Sequence, residues 1–352
     1  MADSSGNGHL ESGTVKWQSP SNIALVKYWG KHGQQLPGNP SISLTLDKAH
    51  TVTEINYKLR ADKGAPRVQF EFEGKAAPAF QSRIENFLSG LTGELPFLNQ
   101  VSLEISSANS FPHSSGIASS ASSMSALALC LMQIENQIER KTSIDYQKAS
   151  HVARLGSGSA SRSVYGPVVV WGQTESVPNS SDLFAIPYVK DIHERFLDMH
   201  DDILIISKKK KSVSSSAGHK LMTDNPYKVT RYEQAHRHVA EILEAMQKGD
   251  IEKFGDLVEK EALTLHALMM ASTPPYILME PGTVEAIKQI QQYRREQHIP
   301  VYFTLDAGPN IHLLYPHQVS DKVKDLKNHL LPLCEDGMII EDRMGMGPKA
   351  LL

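Results

Sequence analysis

The chain has 352 residues, 40% of them hydrophobic and 21% charged, and a formal net charge of −3. That length accommodates two domains with cores of their own, and the small negative balance excludes a global basic field for nucleic acid or an anionic membrane. No apolar stretch reaches the roughly 20 residues needed to cross a bilayer. Cys130 and Cys334 sit among apolar residues without metal-ligand or redox spacing, the pattern of reduced cysteines in a cytoplasmic protein.

Residues 1–13 are rich in Ser, Gly and acidic side chains and lack the apolar core of a signal peptide, so a disordered tail is expected. Residues 21–31, SNIALVKYWGK, set Lys27 and Lys31 beside Tyr28 and Trp29. The four-residue spacing suits one helical face, and the β-branched and aromatic content suits an extended segment equally. Two cations and a phenol recognise a phosphate or carboxylate, although solvated lysines at a strand end would look the same. Strands are expected at 42–46, 52–59 and 68–72, a helix at 78–91 and a strand at 101–105.

Residues 106–121, SSANSFPHSSGIASSA, form a polar loop of small residues that runs into a helix. Met124, Leu127, Ala128 and Leu131 mark that helix at i, i+3, i+4 and i+7. A Ser/Gly/Asn loop lets backbone N–H groups approach a polyanion, and the helix start adds unpaired donors and a positive dipole. This is the build of a phosphate cradle; a Ser-rich turn before a core helix is the plain alternative. A helix at 145–155 ends at Gly156 and leads into GSGSASR, residues 156–162. That segment lacks the third glycine and the βαβ setting of a dinucleotide fingerprint. It reads as a nest of hydroxyls and backbone donors with Arg162 as an anion fork, or as a Ser-rich turn. Strands at 164–171 and 184–189 complete an N-terminal domain placed at 14–198.

The C-terminal domain, 199–352, opens on a strand at 203–206. The lysines at 208–211 and the Ser-rich stretch after them suit a solvated loop that presents hydroxyls to an anion, and are weak evidence for nucleic acid. Val239, Leu243 and Met246 share one helical face, as do Phe254, Leu257, Val258 and Leu265, and Lys248-Gly249-Asp250 breaks between them. His266 reads as a satisfied core histidine. A helix at 282–296, a strand at 301–305, a turn at 307–310, a strand at 311–315 and a helix at 320–330 make this half a two-layer α+β domain. Asp306 closes an apolar run just before the AGPN turn. A carboxylate held by a rigid strand and exposed by a tight turn is placed to act as a base or to orient a hydroxyl. The sequence has neither a spaced His/carboxylate cluster for zinc nor a Gly-x-Ser-x-Gly elbow.

Together these motifs resemble the GHMP kinase superfamily. PHSSGIASSA, from Pro112, looks like its phosphate loop of Pro, three variable residues, Gly, two further residues and Ser-Ser-Ala. Within the superfamily the chain resembles the diphosphomevalonate decarboxylases. SPSNIALVKYWGK, SANSFPHSSGIASSA, GSGSASRSVYG, KKKSVSSSAGH, HALMMASTPP and TLDAGPN occur in that family's order and spacing, from about residue 15 to 315. The resemblance implies an α+β, two-domain GHMP kinase fold, with an N-terminal α/β domain carrying the phosphate loop and a C-terminal two-layer, ferredoxin-like α/β domain. It implies ATP- and magnesium-dependent decarboxylation of mevalonate 5-diphosphate to isopentenyl diphosphate through transient 3-phosphorylation. It further implies a cytoplasmic homodimer that binds neither nucleic acid nor membrane.

By position, the resemblance makes Asp306 the residue that takes or orients the proton of the 3-hydroxyl. Lys27 then lies beside Asp306 and the transferring phosphate, and Arg162 grips the substrate carboxylate. Tyr28, Lys31, Ser157, Ser159 and, in the second domain, Ser215 hold the substrate and its diphosphate. Ala108, Asn109, Ser114, Ser115, Gly116, Ser119 and Ser120 line the nucleotide phosphates, with Ser120 also a magnesium ligand. Two features depart from the family pattern. His113-Ser114-Ser115 stands where Thr-Ala-Ala is common, and 214–219, SSSAGH, lacks the arginine that some bacterial members direct at the substrate diphosphate, leaving neighbouring lysines as substitutes. A GHMP kinase that phosphorylates a mevalonate derivative without decarboxylating it is the competing reading. The joint presence of Asp306, Lys27 and Arg162 favours decarboxylation.

Overall fold

A computed structural model describes residues 11–112, 117, 119–188, 191–209, 213 and 215–352. The first part of the chain runs β1 (Ser12–Val26), β2 (Lys31–His32), β3 (Leu36–Pro37), β4 (Ser41–Leu59), β5 (Arg67–Phe72), β6 (Lys75–Ala76), α1 (Pro78–Gly90), β7 (Val101–Asn109), α2 (Ser119–Glu139), α3 (Tyr146–Gly156), α4 (Ala160–Ser163), β8 (Val168–Trp171) and β9 (Ala185–Pro187). The second part runs β10 (Met199–Leu204), α5 (Ser215–Lys220), α6 (Lys228–Lys248), α7 (Ile251–Met270), α8 (Pro281–Gln297), β11 (Tyr302–Thr304), β12 (Ile311–Pro316), α9 (Ser320–Leu330), β13 (Ile339–Ile340) and β14 (Lys349–Ala350).

The first sheet has the order β14-β1-β4-β7-β5-β6, with β8 joined to β4 and β9 to β8. The expected strands at 42–46 and 52–59 are one strand, because β4 pairs with β1 along its length and serves β8 through residues 41–44 and β7 through 51–59. Its register slips between Pro20 and Asn22 and again between Ala24 and Val26. The strand expected at 101–105 runs on to Asn109, since Ser107–Asn109 keep pairing with Thr51–Thr53; residues 106–109 are therefore strand and not loop. The strand expected from 164 begins at Val168, as Val164 instead caps α4. The one expected at 184–189 is Ala185–Pro187, and 189 lies outside the described residues. The strand expected at 203–206 is β10, starting at Met199 where His317 and Pro316 pair it from the other side.

The second sheet, β11-β12-β10-β13, is antiparallel. Between the two sheets lie α6 and α7, broken apart by Gly249 at φ +74° with Asp250 accepting from the Lys253 N–H. Their apolar faces, Val239, Ile242, Leu243, Met246, Phe254 and Val258, pack on Ile23, Leu25, Ile42, Leu44, Val168 and Val170 from the first sheet. Tyr302 and Leu314 of the second sheet join the same core. Each such side chain contributes about 1.5–3 kcal/mol on burial, so the end of β1 is fixed to the second half by a common interior. The chain then returns: Gly345 N–H donates to Thr45 O, and β14 pairs with β1 through Trp17 and Gln18.

Candidate active site

Lys27 directly follows β1, and its side chain is 1% exposed. Its Nζ donates to Ala24 O at 2.6 Å and to Asp306 Oδ1 at 3.1 Å. Burial pulls the Lys27 pKa down and the facing Asp306 carboxylate opposes that shift. The backbone of Lys27 is gripped on both sides. Its N–H donates to Glu261 Oε2 at 2.9 Å, and its carbonyl accepts from Arg231 Nη2 at 2.9 Å and Asn39 Nδ2 at 3.0 Å. Glu261 in turn takes both Arg231 nitrogens at 2.6 Å and His238 Nδ1 at 2.5 Å, all buried between α6 and α7. Sequence reading did not find this network; a charged residue on an otherwise apolar helical face, as Glu261 is on α7, was the available signal.

Asp306 stands beyond β11, where the turn tightens through Gly308 N–H donating to Asp306 O at 2.7 Å. The same carbonyl accepts from His266 Nε2 at 3.1 Å, so the core histidine of the sequence reading also holds the turn that aims the carboxylate. The Asp306 side chain is 35% exposed, open to solvent on the side away from Lys27.

Arg162 lies in α4, buried, with Nε donating to Asn22 Oδ1 at 3.2 Å and Nη1 to Ser41 Oγ at 2.8 Å. Its guanidinium carbon sits 5.8 Å from the Trp171 ring centre. Burial lowers its pKa to about 10, against the pull of Asp306 and Tyr28, so it stays charged at neutral pH. Tyr28 is wedged between Trp171 and His219, with ring centres 4.7 and 4.4 Å away. Burial raises its pKa and keeps the phenol protonated, and among the described residues its buried hydroxyl has no hydrogen-bond partner. A Cβ on Gly158 would come within 2.8 Å of that hydroxyl and 2.9 Å of Trp171. Gly158→Ala is therefore expected to displace Tyr28 and raise the substrate KM about tenfold with a small change in kcat, measured by steady-state kinetics.

Lys27, Tyr28, Ser120, Ser157, Arg162 and Asp306 line one cavity of about 380 Å³. Ser159 and Lys31 line it too, as does Ser216 from the Ser-rich stretch expected to present hydroxyls; Arg83 of α1 and His219 also line it, and the sequence reading gave neither a role. Ser120 Oγ lies 3.3 Å from Ser157 Oγ, joining the first turn of α2 to the cap of α3. Lys31 donates to Gln35 Oε1 at 2.9 Å, its pKa lowered by burial and by Lys220. Ala108, Asn109 and Ser119 do not line this cavity. They pin the stems of the phosphate loop, Asn109 Nδ2 donating to Ser119 Oγ at 3.1 Å while Asn109 Oδ1 accepts from Thr51 at 2.8 Å. Ser114, Ser115 and Gly116 lie outside the described residues, as does the side chain of Ser215. A small cleft runs from Ile117, at the end of that loop, to Asp306, so loop and carboxylate face a common space.

The lining places four cations, Lys27, Lys31, Arg83 and Arg162, around one carboxylate, a set that fits a polyanion with a single proton acceptor beside it. Among the described residues no three His, Cys, Asp or Glu side chains group to hold a metal ion. The exposed Ser120 hydroxyl fits a magnesium ion carried largely by nucleotide phosphates. A larger concavity of about 680 Å³ beside α7 and α8 offers no such set, because Arg294 is held by Glu259 at 2.6 Å and Arg195 by Gly249 O at 2.9 Å.

Residues 19–185 match the family described as diphosphomevalonate decarboxylase-like N-terminal domain, and residues 202–346 match the mevalonate 5-diphosphate decarboxylase C-terminal domain. The fold is similar to that of mevalonate diphosphate decarboxylase from Staphylococcus aureus, with a TM-score of 0.83, 29% identity and coverage of 98% of this chain and 100% of that one. It is similar also to MDDEF in complex with MVAPP, AMPPCP and magnesium, with a TM-score of 0.81, 27% identity and coverage of 97% and 99%. Diphosphomevalonate decarboxylase of Candida albicans is 30% identical over 94% of this chain and 96% of its own length. Both halves of the molecule thus match one family: the chain belongs to the diphosphomevalonate decarboxylase family.

Proposed function

We propose that the chain converts mevalonate 5-diphosphate to isopentenyl diphosphate, using ATP and releasing ADP, phosphate and CO2. The observation that carries this reading is the Lys27–Asp306 pair at 3.1 Å, open on one side to a cavity that also holds Arg162 and the Ser120–Ser157 hydroxyls. A relative of the same fold holds MVAPP, AMPPCP and magnesium together, which supports ATP and magnesium as the partners of the reaction.

A tertiary hydroxyl is a weak nucleophile and a poor leaving group, so it is first phosphorylated. Asp306 accepts or orients the hydroxyl proton as the oxygen takes the γ-phosphoryl group and ADP departs. Lys27, with its charge beside Asp306, keeps that carboxylate ionised and neutralises charge on the transferring group. The C3–O bond then breaks with loss of phosphate, and the electron pair of the departing carboxylate's C–C bond quenches the positive charge at C3, giving CO2 and the alkene. Arg162 holds that carboxylate, while Tyr28, Lys31, Ser157, Ser159 and Ser215 hold the remainder of the substrate. Ala108, Asn109, Ser114, Ser115, Gly116, Ser119 and Ser120 serve the nucleotide phosphates, and Ser120 holds the magnesium. Magnesium, when bound, supplies charge neutralisation at the phosphates.

The test is an end-point assay with MgATP and mevalonate 5-diphosphate: CO2 and phosphate are expected in equal amounts, and a phosphorylated product accumulating without CO2 overturns the reading. Arg162→Gln is expected to raise the substrate KM and lower kcat, each at least about tenfold, because a charged two-pronged contact is lost. A defect in kcat alone places Arg162 away from the bound substrate. We extend the reading to a cytoplasmic homodimer that binds neither nucleic acid nor membrane. For the cytoplasmic part of that reading, the support is that Cys130 and Cys334 are free.

A further inference from the structure

We infer that His219 donates a hydrogen bond from Nε2 to the diphosphate of the substrate, as the contact from the second half of the molecule to that group. The inference rests on the substrate reading above. α5 brings His219 to the site because Gly218 lies flat on Trp29, where a Cβ would meet the indole at 2.6 Å and the Tyr276 hydroxyl at 2.9 Å. The imidazole then packs between Tyr28 and Trp29, tilted by 40° and 35° to them, with ring centres 4.4 and 4.7 Å away.

Gly30 N–H donates to His219 Nδ1 at 3.0 Å. A backbone N–H can only donate, so Nδ1 is the unprotonated nitrogen and the ring proton of the neutral form resides on Nε2. Burial, reinforced by the charge of Lys31, lowers the His219 pKa to about 3, and the ring stays in that single form across the physiological range. His219 is 8% exposed and lines the cavity; among the described residues no group accepts from its Nε2. A neutral donor locked in one tautomer adds a directed hydrogen bond to a wall already charged by Lys31, without a further cation to repel it.

His219 is bonded to Gly30, the residue before Lys31, whereas Asp306 is bonded to Lys27 at 3.1 Å and acts with Arg162 on that lysine. The cavity therefore has a Lys31–His219 end for the diphosphate and an Arg162–Asp306 end for the reacting carbon. No other residue of 213–219 carries a ring or a charge, so His219 is the donor that this segment brings to that end.

Two substitutions separate donor from scaffold. Asn at 219 keeps an acceptor near the Nδ1 position for Gly30 and loses the deep donor; Gln reaches further and restores an N–H near the Nε2 position. His219→Asn is expected to raise the KM for mevalonate 5-diphosphate about tenfold or more, with the KM for ATP and the melting temperature nearly unchanged. His219→Gln is expected to recover most of that loss. The preference for mevalonate 5-diphosphate over mevalonate 5-phosphate, measured by calorimetry, should shrink in the Asn variant by the same factor. An unchanged preference, or equal losses for Asn and Gln, overturns the inference while the wild type still releases CO2. A wild type that releases none overturns the substrate reading, and this inference with it.

Discussion

Asp306→Asn lowers turnover by about three to four powers of ten while ATP and mevalonate 5-diphosphate bind nearly as before. The substitution is close to isosteric, and the amide oxygen still accepts from Lys27 Nζ, so the 3.1 Å contact and the His266 and Gly308 bonds to the main chain survive. What disappears is the negative charge and the ability to take a proton as the hydroxyl oxygen attacks. Lys27 is then a buried cation facing a neutral group, which further depresses its pKa. Single-turnover release of CO2, with binding followed by calorimetry, checks the result. Turnover within about tenfold of the wild type removes Asp306 from the reaction.

Glu261→Ala destabilises the fold by about 3–5 kcal/mol, the cost of stranding buried partners of a lost charge. Arg231 loses its carboxylate partner and keeps only the neutral Lys27 O and Gln234 Oε1, His238 loses its acceptor, and Lys27 loses the bond from its N–H. Urea unfolding measures the first effect, and kcat should fall with it because Lys27 is no longer held against Asp306. A paired Glu261→Leu, Arg231→Met variant should recover much of the stability, since no isolated charge remains inside. The wild type carries a pH signature of the same network. Burial works to raise the Glu261 pKa, but Arg231, His238 and the Lys27 N–H overcome it and hold it at about 2, below the ordinary 4.5. A depressed carboxylate stabilises the fold fully above its unfolded pKa, so this contribution is lost as pH falls from about 4.5 towards 2. Glu261→Ala unfolding at wild-type urea concentrations assigns the network no structural role.

The chemistry was more legible in the sequence than the scaffold that aims it. Lys27, Tyr28, Arg162, Ser157 and Asp306 stood out because reactive residue types occur at turns and strand ends, and the fold brings these into one cavity. β1 was only half legible: an extended segment was one of two readings from residue 21, and nothing before it was assigned, since its second half, SPSNIALV, is buried on both faces and shows no alternation of apolar and polar residues. The Glu261–Arg231–His238 network was hidden for a related reason: its members lie on two helices, and nothing local in either marks the other as partner. His219 and Arg83 were missed because each reaches the cavity only through tertiary packing, on a six-residue helix and on α1. His266 was rightly placed in the core, yet its bond to the Asp306 carbonyl links residues 40 positions apart.

The pairing of β14 with Trp17 and Gln18 joins segments from opposite parts of the sequence. Until these distant segments meet, the outer rim of β1 offers open amides to any passing polypeptide. Leu351 and Leu352 extend the seal past β14 by donating from their N–H groups to Lys16 O, so a short segment of few bonds covers that rim.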